Sequence, residues 1–182
     1  PEAASVLRQL HKLGIRNAVM MTGDSYRTAE AIARQVGVDQ FFAEVLPEDK
    51  ANFVQKAKAE GHTVVMIGDG INDSPALSAA DIGIAINSGA AIAREIADVT
   101  IKADSLEELV TLKTIANALQ HRVSSNYRFV LSFNSTLIAL GALGILQPAA
   151  SAMLHNLSTI GISLRSMTNL IQKPSSAPQL EG

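Results

Sequence analysis

Two patterns of apolar and polar positions divide the chain. Up to Ile101, short runs of β-forming residues alternate with segments whose apolar positions recur at helical spacing. Val6, Leu10 and Leu13, with charge between them, predict an amphipathic helix ended by Gly14. Residues 15–21 read as a buried strand, 28–36 as a helix stopped by Gly37, and 41–45 as a short strand. Pro47 opens a helix running to about residue 60 and stopped by Gly61, and residues 62–67 form another buried strand. A short helix over 75–80, a strand over 82–86, a helix over about 90–96 and a strand over 99–101 complete the series. Such alternation predicts an α/β domain with a mainly parallel sheet.

The second pattern begins with a stripe of Leu106, Leu109, Leu112, Ile115, Ala116 and Leu119 along a helix predicted over 105–125. From Phe129 to Leu164 there is no Asp, Glu, Lys or Arg, a stretch long enough for two membrane spans of about 20 residues each. The helix is expected to continue through 129–146, turn at Gln147–Pro148 and return over 149–171. Lys113, Arg122 and Arg128 flank one end of this hairpin, Arg165 and Lys173 the other, and the turn carries no charge. The positive-inside rule then puts both ends of the hairpin and the α/β domain in the cytoplasm of a multi-pass membrane protein. The expected division is an α/β domain over 1–104, a stalk over 105–126, spans over 127–147 and 148–172, and a disordered Pro/Ser-rich tail over 173–182. Polar residues inside the hairpin either join helices or mark a transport path; Asn134, His155, Ser158 and Thr159 are the transport candidates. A pair of buried helices in a soluble protein is the competing reading of the same stretch.

Charge and composition add limits. The net charge of -2 points to no nucleic-acid partner, and the absence of cysteine excludes disulfides and thiolate metal sites. No secretory signal opens the chain, and a start at Pro1-Glu2 without methionine leads us to expect a piece of a longer protein.

The candidate chemistry centres on Gly68-Asp69-Gly70-Ile71-Asn72-Asp73-Ser74-Pro75, at the carboxyl end of a predicted strand. Asp69 and Asp73 make a hard-oxygen pair of the kind Mg²⁺ takes together with phosphate, and the glycines allow close backbone approach. The plain alternative is a strand-to-helix turn with Asp73 as an N-cap. Thr22 and Asp24 end another strand, and Lys50 lies in the first turn of a helix after a third. In parallel sheets these strand ends face one crevice. A hydroxyl, a lysine and a carboxylate pair there suit phosphoryl transfer. No nucleophile accompanies them, and His11, His62, His121 and His155 form no ligand-like cluster.

Met21-Thr22-Gly23-Asp24, Pro47-Glu48-Asp49-Lys50 and the Gly68–Pro75 string resemble the later phosphorylation-domain motifs of P-type ATPases, which share the haloacid-dehalogenase fold. Asp81-Ile82-Gly83-Ile84-Ala85-Ile86 and Ser88-Gly89 are similar to the same family. The resemblance implies Mg²⁺ at Asp69, with Asn72 and Asp73 supporting metal and phosphate. It implies Lys50 on the phosphoryl oxygens, Thr22 on the transferring group, and Gly23, Asp24 and Gly70 near the bound nucleotide, ATP. It further implies partners outside this sequence: a phosphorylated aspartate, nucleotide-binding and actuator domains, other transmembrane helices and the lipid bilayer. The terminal hairpin with His155-Asn156-Leu157-Ser158-Thr159 resembles the heavy-metal branch, whose cargo is a heavy-metal cation. Asn156 and Arg165 depart from that branch's patterns, which leaves the metal unassigned. A soluble phosphatase of the same fold, using Asp69, Asp73, Lys50 and Thr22, is the alternative.

Overall fold

The computed structural model describes residues 2–68, 72–86, 95–101 and 106–170, in two compact units that divide between Lys113 and Thr114. In the first unit helices and strands alternate: α1 (Glu2–Lys12), β1 (Val19–Met21), α2 (Tyr26–Val36), β2 (Gln40–Phe42), α3 (Pro47–Ala59), β3 (Val65–Gly68), α4 (Ser74–Ala79), β4 (Ile82–Ile86) and β5 (Val99–Ile101). Every strand pairing is parallel, as expected, but the described strands form two sheets, β1-β2 and β3-β4-β5.

Register is set by a repeated device. Asp39, Asp81 and Asp98 each stand one residue before the first pair of a ladder or directly opposite its neighbour. Each accepts a backbone N–H from the adjacent strand: Ala18 at 2.7 Å, Val64 at 2.8 Å and Gly83 at 2.8 Å. A carboxylate closing the amino end of each ladder satisfies a donor that the next strand pair does not reach.

Two apolar clusters hold the unit. Val54 of α3 and Ala76 and Leu77 of α4 pack with Met66 of β3, and Met21 at the end of β1 reaches the same cluster. Ile84, Ile101 and Leu109 form the second, joined by Leu10 of α1. Gly83 is required here, because a Cβ at that position would stand 2.9 Å from the Leu77 carbonyl oxygen.

Several boundaries differ from expectation. The strand predicted over 41–45 stops at Phe42, because Glu44 takes φ 56° and turns the chain toward α3. Strand 62–67 begins only at Val65, and it is not buried on both faces: Val65 and Ile67 are about two-fifths exposed while Met66 faces the helices. Among the described residues β3 pairs only with β4, and its face opposite α3 and α4 is exposed at Val65 and Ile67. Most of the helix expected over 90–96 lies outside the described residues, as does the tail over 173–182.

α5 (Glu107–Ala142) starts in the first unit and ends in the second, and α6 (Pro148–Ser166) follows it. α5 and α6 form an antiparallel helix pair, and the expected position of the turn is corrected. It falls on Leu143–Leu146, with Gly144 at φ 71°, and Gln147-Pro148 instead begin α6 as N-cap and first residue. Among the described residues no helix is long and apolar enough to cross a membrane. The uncharged helical part after Arg128 ends at Ala142, short of the ~20 residues a span requires. The 19 residues of α6 include Ser151, His155, Asn156, Ser158, Thr159 and Ser163 among the apolar ones.

Candidate functional site

The carboxyl ends of β1 and β3 and the first turn of α3 supply the site. β3 ends at Gly68, and Asp73 stands at the N-cap position of α4, yet its carboxylate makes no cap bond. It turns instead to Lys50, whose Nζ donates to Asp73 Oδ1 at 2.7 Å. Both side chains are largely buried, at 14% and 12% exposure, so the pair is shielded from solvent and holds its geometry. Asp73 thus makes no cap bond, and Lys50 takes its carboxylate instead.

Gly68 is a member that sequence reasoning passed over. A Cβ there would lie 2.5 Å from Asp73 Oδ2, so the carboxylate rests on the bare backbone of the strand end. The available signal was the first glycine of Gly-Asp-Gly, read as room for a ligand and not as the seat of Asp73. Lys50 is aimed by its own helix start. Pro47 occupies the first turn, and Asp49 Oδ2 accepts the Leu46 N–H at 3.4 Å, closing the amino end of α3.

Thr22 follows β1. Its N–H donates to Phe42 at 3.0 Å, and its carbonyl accepts from Val45 at 3.0 Å, which ties the end of β1 to the loop entering α3. The Thr22 hydroxyl donates to Asp24 Oδ2 at 2.9 Å and accepts the Asp24 N–H at 3.1 Å. Gly23, Asp24 and Asn72 are exposed. Asp69 and Gly70 lie outside the described residues. The structure thus joins Lys50 to Asp73 directly and brings Thr22 to the same region through Val45 and Leu46. The chemistry open to this arrangement is anion recognition. A buried lysine at the start of α3 meets a carboxylate whose hard oxygens suit Mg²⁺, while the Thr22 hydroxyl engages Asp24.

One carboxylate away from this crevice is electrostatically distinct. A hydrogen bond from the Val64 N–H, then the Lys58 ammonium, hold the Asp81 carboxyl below its usual 3.8.

In the second unit Asn134 Oδ1 and His155 Nδ1 meet at 2.9 Å, beside a groove of about 560 Å³ lined by Leu137, Ile138, Pro148, Ser151 and Asn156. Ser158 and Thr159 share the His155 face, but their hydroxyls donate to the His155 carbonyl oxygen at 2.8 and 3.0 Å. Of the four transport candidates, then, two face each other and two are turned back onto their own helix.

The haloacid dehalogenase-like hydrolase family profile matches residues 1–81. The manganese-exporting P-type ATPase of Mycobacterium leprae is 42% identical over 163 residues, which is 89% of this chain and 22% of that protein. The zinc-exporting P-type ATPase of Mycobacterium marinum shows the same identity and coverage. Its relatives are P-type ATPases. A crystal structure of a zinc-transporting PIB-type ATPase in the E2.Pi state superposes with a TM-score of 0.80 at 33% identity, over 91% of this chain and 27% of that one. The parallel α/β unit therefore has the haloacid dehalogenase-like fold, and the chain spans roughly a fifth to a quarter of the length of these P-type ATPase relatives.

Proposed function

We propose that this chain is the carboxyl-terminal part of a heavy-metal P-type ATPase. In that protein ATP phosphorylates an aspartate outside these residues, and hydrolysis drives a heavy-metal cation across a membrane. The observation that carries the reading is the shielded Lys50–Asp73 pair seated on Gly68, at the end of a strand that pairs on one edge among the described residues. β1 likewise pairs on one edge among the described residues, and its Met21 reaches the core beneath β3. A further parallel strand between them would pair with the free edges and deliver a nucleophile to Thr22 and Lys50.

In this reading Mg²⁺ is held by Asp69 and Asp73, supported by Asn72, and when bound it neutralises phosphoryl charge. Lys50 binds the phosphoryl oxygens, Thr22 donates to the transferring group, and Gly23, Asp24 and Gly70 border the nucleotide. The hairpin of α5 and α6 is a membrane-embedded pair in this reading. Its apolar side chains are exposed, Ile138 and Leu143 at 73% and Met153 at 66%, and need lipid or neighbouring helices to cover them. Its polar groups Asn134 and His155 are paired across the two helices, and in this reading they offer a cation nitrogen and oxygen donors.

In the intact protein, Asp69→Asn removes a metal carboxylate and is expected to abolish acid-stable labelling from γ-labelled ATP. Near-normal phosphoenzyme would end the assignment. His155→Ala is expected to weaken metal-stimulated ATPase activity while phosphorylation from inorganic phosphate persists; unchanged metal dependence would remove His155 from the path.

A further inference from the structure

α3 carries a second lysine that engages the other end of α4. Lys58 Nζ donates to the Ala79 carbonyl oxygen at 2.8 Å, in the last turn of α4, and lies 3.2 Å from Asp81 Oδ1. Asp81 Oδ2 in turn accepts the Val64 N–H at 2.8 Å, immediately before β3. Lys50, two helical turns earlier on α3, holds Asp73 at the start of α4 and beside the end of β3. The two helices are therefore fastened at both ends, with Val54, Ala76 and Leu77 packed between the fastenings.

We propose that Lys58 is a positioning residue, which sets the depth at which Lys50 meets Asp73. The physical ground is the geometry of α4. It has only 6 residues, so its own hydrogen bonds define its axis poorly, and its placement depends on what grips its ends. Val54 and Leu77 resist separation of the helices, but apolar contact is non-directional and leaves sliding along the common axis weakly opposed. Lys58 supplies the directional contact. It satisfies a terminal carbonyl of α4 and, through Asp81, fixes that end to the starts of β3 and β4. A shift of α3 along α4 by even a fraction of a turn would draw Lys50 off Asp73. What Lys50 then does to a phosphoryl group rests on the function proposed above; the positioning itself does not.

The test uses the 182-residue chain in detergent micelles, with acetic anhydride pulse labelling read per lysine by peptide mass spectrometry. Exposed Lys56 serves as the internal reference. Lys58→Met is expected to raise Lys50 labelling about threefold to fivefold, the factor that one partly exposed ion pair can supply. Lys58→Arg, which keeps donors for both oxygens, is expected to restore the slow rate. Unchanged Lys50 labelling in K58M overturns the proposal, and so does a rise that K58R reproduces in full. If K58M does not fold, Asp81→Asn tests the same clamp, since it keeps an acceptor for Val64 and removes the charge facing Lys58. Faster Lys50 labelling then supports the proposal, and an unchanged rate overturns it. Protection of Lys50 in the unsubstituted chain by Mg²⁺ with inorganic phosphate is read separately. Its absence alongside an intact K58M effect counts against the phosphoryl reading and not against the positioning.

Discussion

Asp73 shows how much one side chain's surroundings decide. At a helix start an aspartate ordinarily accepts N–H bonds from the first turn, a role worth about 1 kcal/mol. Here the backbone of Gly68 leaves room for its carboxylate and Lys50 supplies its counter-charge, so the cap role is given up. Two outcomes follow at this scale. Gly68→Ala would thrust a Cβ against Asp73 Oδ2 and is expected to destabilise the α/β unit by ~1–3 kcal/mol in urea titrations. Gly141→Ala, where a Cβ meets nothing, is expected to be neutral or slightly stabilising. Equal effects at the two glycines would contradict the close seat assigned to Asp73.

At the scale of the element, the aspartates before β2, β4 and β5 do for strand ends what caps do for helices. Asp98→Ala leaves the Gly83 N–H without its partner and is expected to cost about 1–2 kcal/mol, with Asp98→Asn recovering most of the loss. Asp81 adds a pH dependence whose sign follows from its depressed titration. Its carboxylate is stabilised by the Val64 N–H first and by Lys58 next. Its contribution is therefore complete above the ordinary value of 3.8 and is lost as acid carries the solution below that, through the folded-state value. Comparing the unsubstituted chain with Asp81→Asn by thermal melts from neutral pH down to about pH 3 should show the two curves converging only at the acid end. A constant separation would exclude this linkage.

For the whole molecule, the decisive feature is incomplete cover. The sheet of β3-β4-β5 is packed on one face by α3 and α4, on the other by α1 and the start of α5 near β4 and β5, and is open over Val65 and Ile67. The second unit exposes large apolar residues along both of its helices. On the proposed reading these two surfaces take different covers, a neighbouring strand beside the first and lipid with further helices around the second. On detergent phase separation the chain is expected in the detergent-rich phase, which a soluble phosphatase of the same fold would avoid. Recovery in the aqueous phase would contradict the membrane placement of the hairpin.

The alternation of strands and helices, the parallel sheet, and strands 82–86 and 99–101 to the residue were legible in the sequence, because β-branched runs and glycine stops are local signals. The approach of Lys50 to Asp73 follows the same logic, since topology sends successive strand ends to one side. The extent of burial was not legible: a run such as Val64-Val65-Met66-Ile67 reads alike whether or not a neighbour covers its second face. Nor was the helical turn at Leu143–Leu146, where apolar residues disguise a left-handed glycine. The pairings of Asp73 with Lys50, Asp81 with Lys58 and Asn134 with His155 join positions 21 to 23 residues apart. Residue type and spacing determined that charges and polar groups would gather at these ends; only packing, through bare backbone at Gly68 and a short α4 held at both ends, decided which partner each one took.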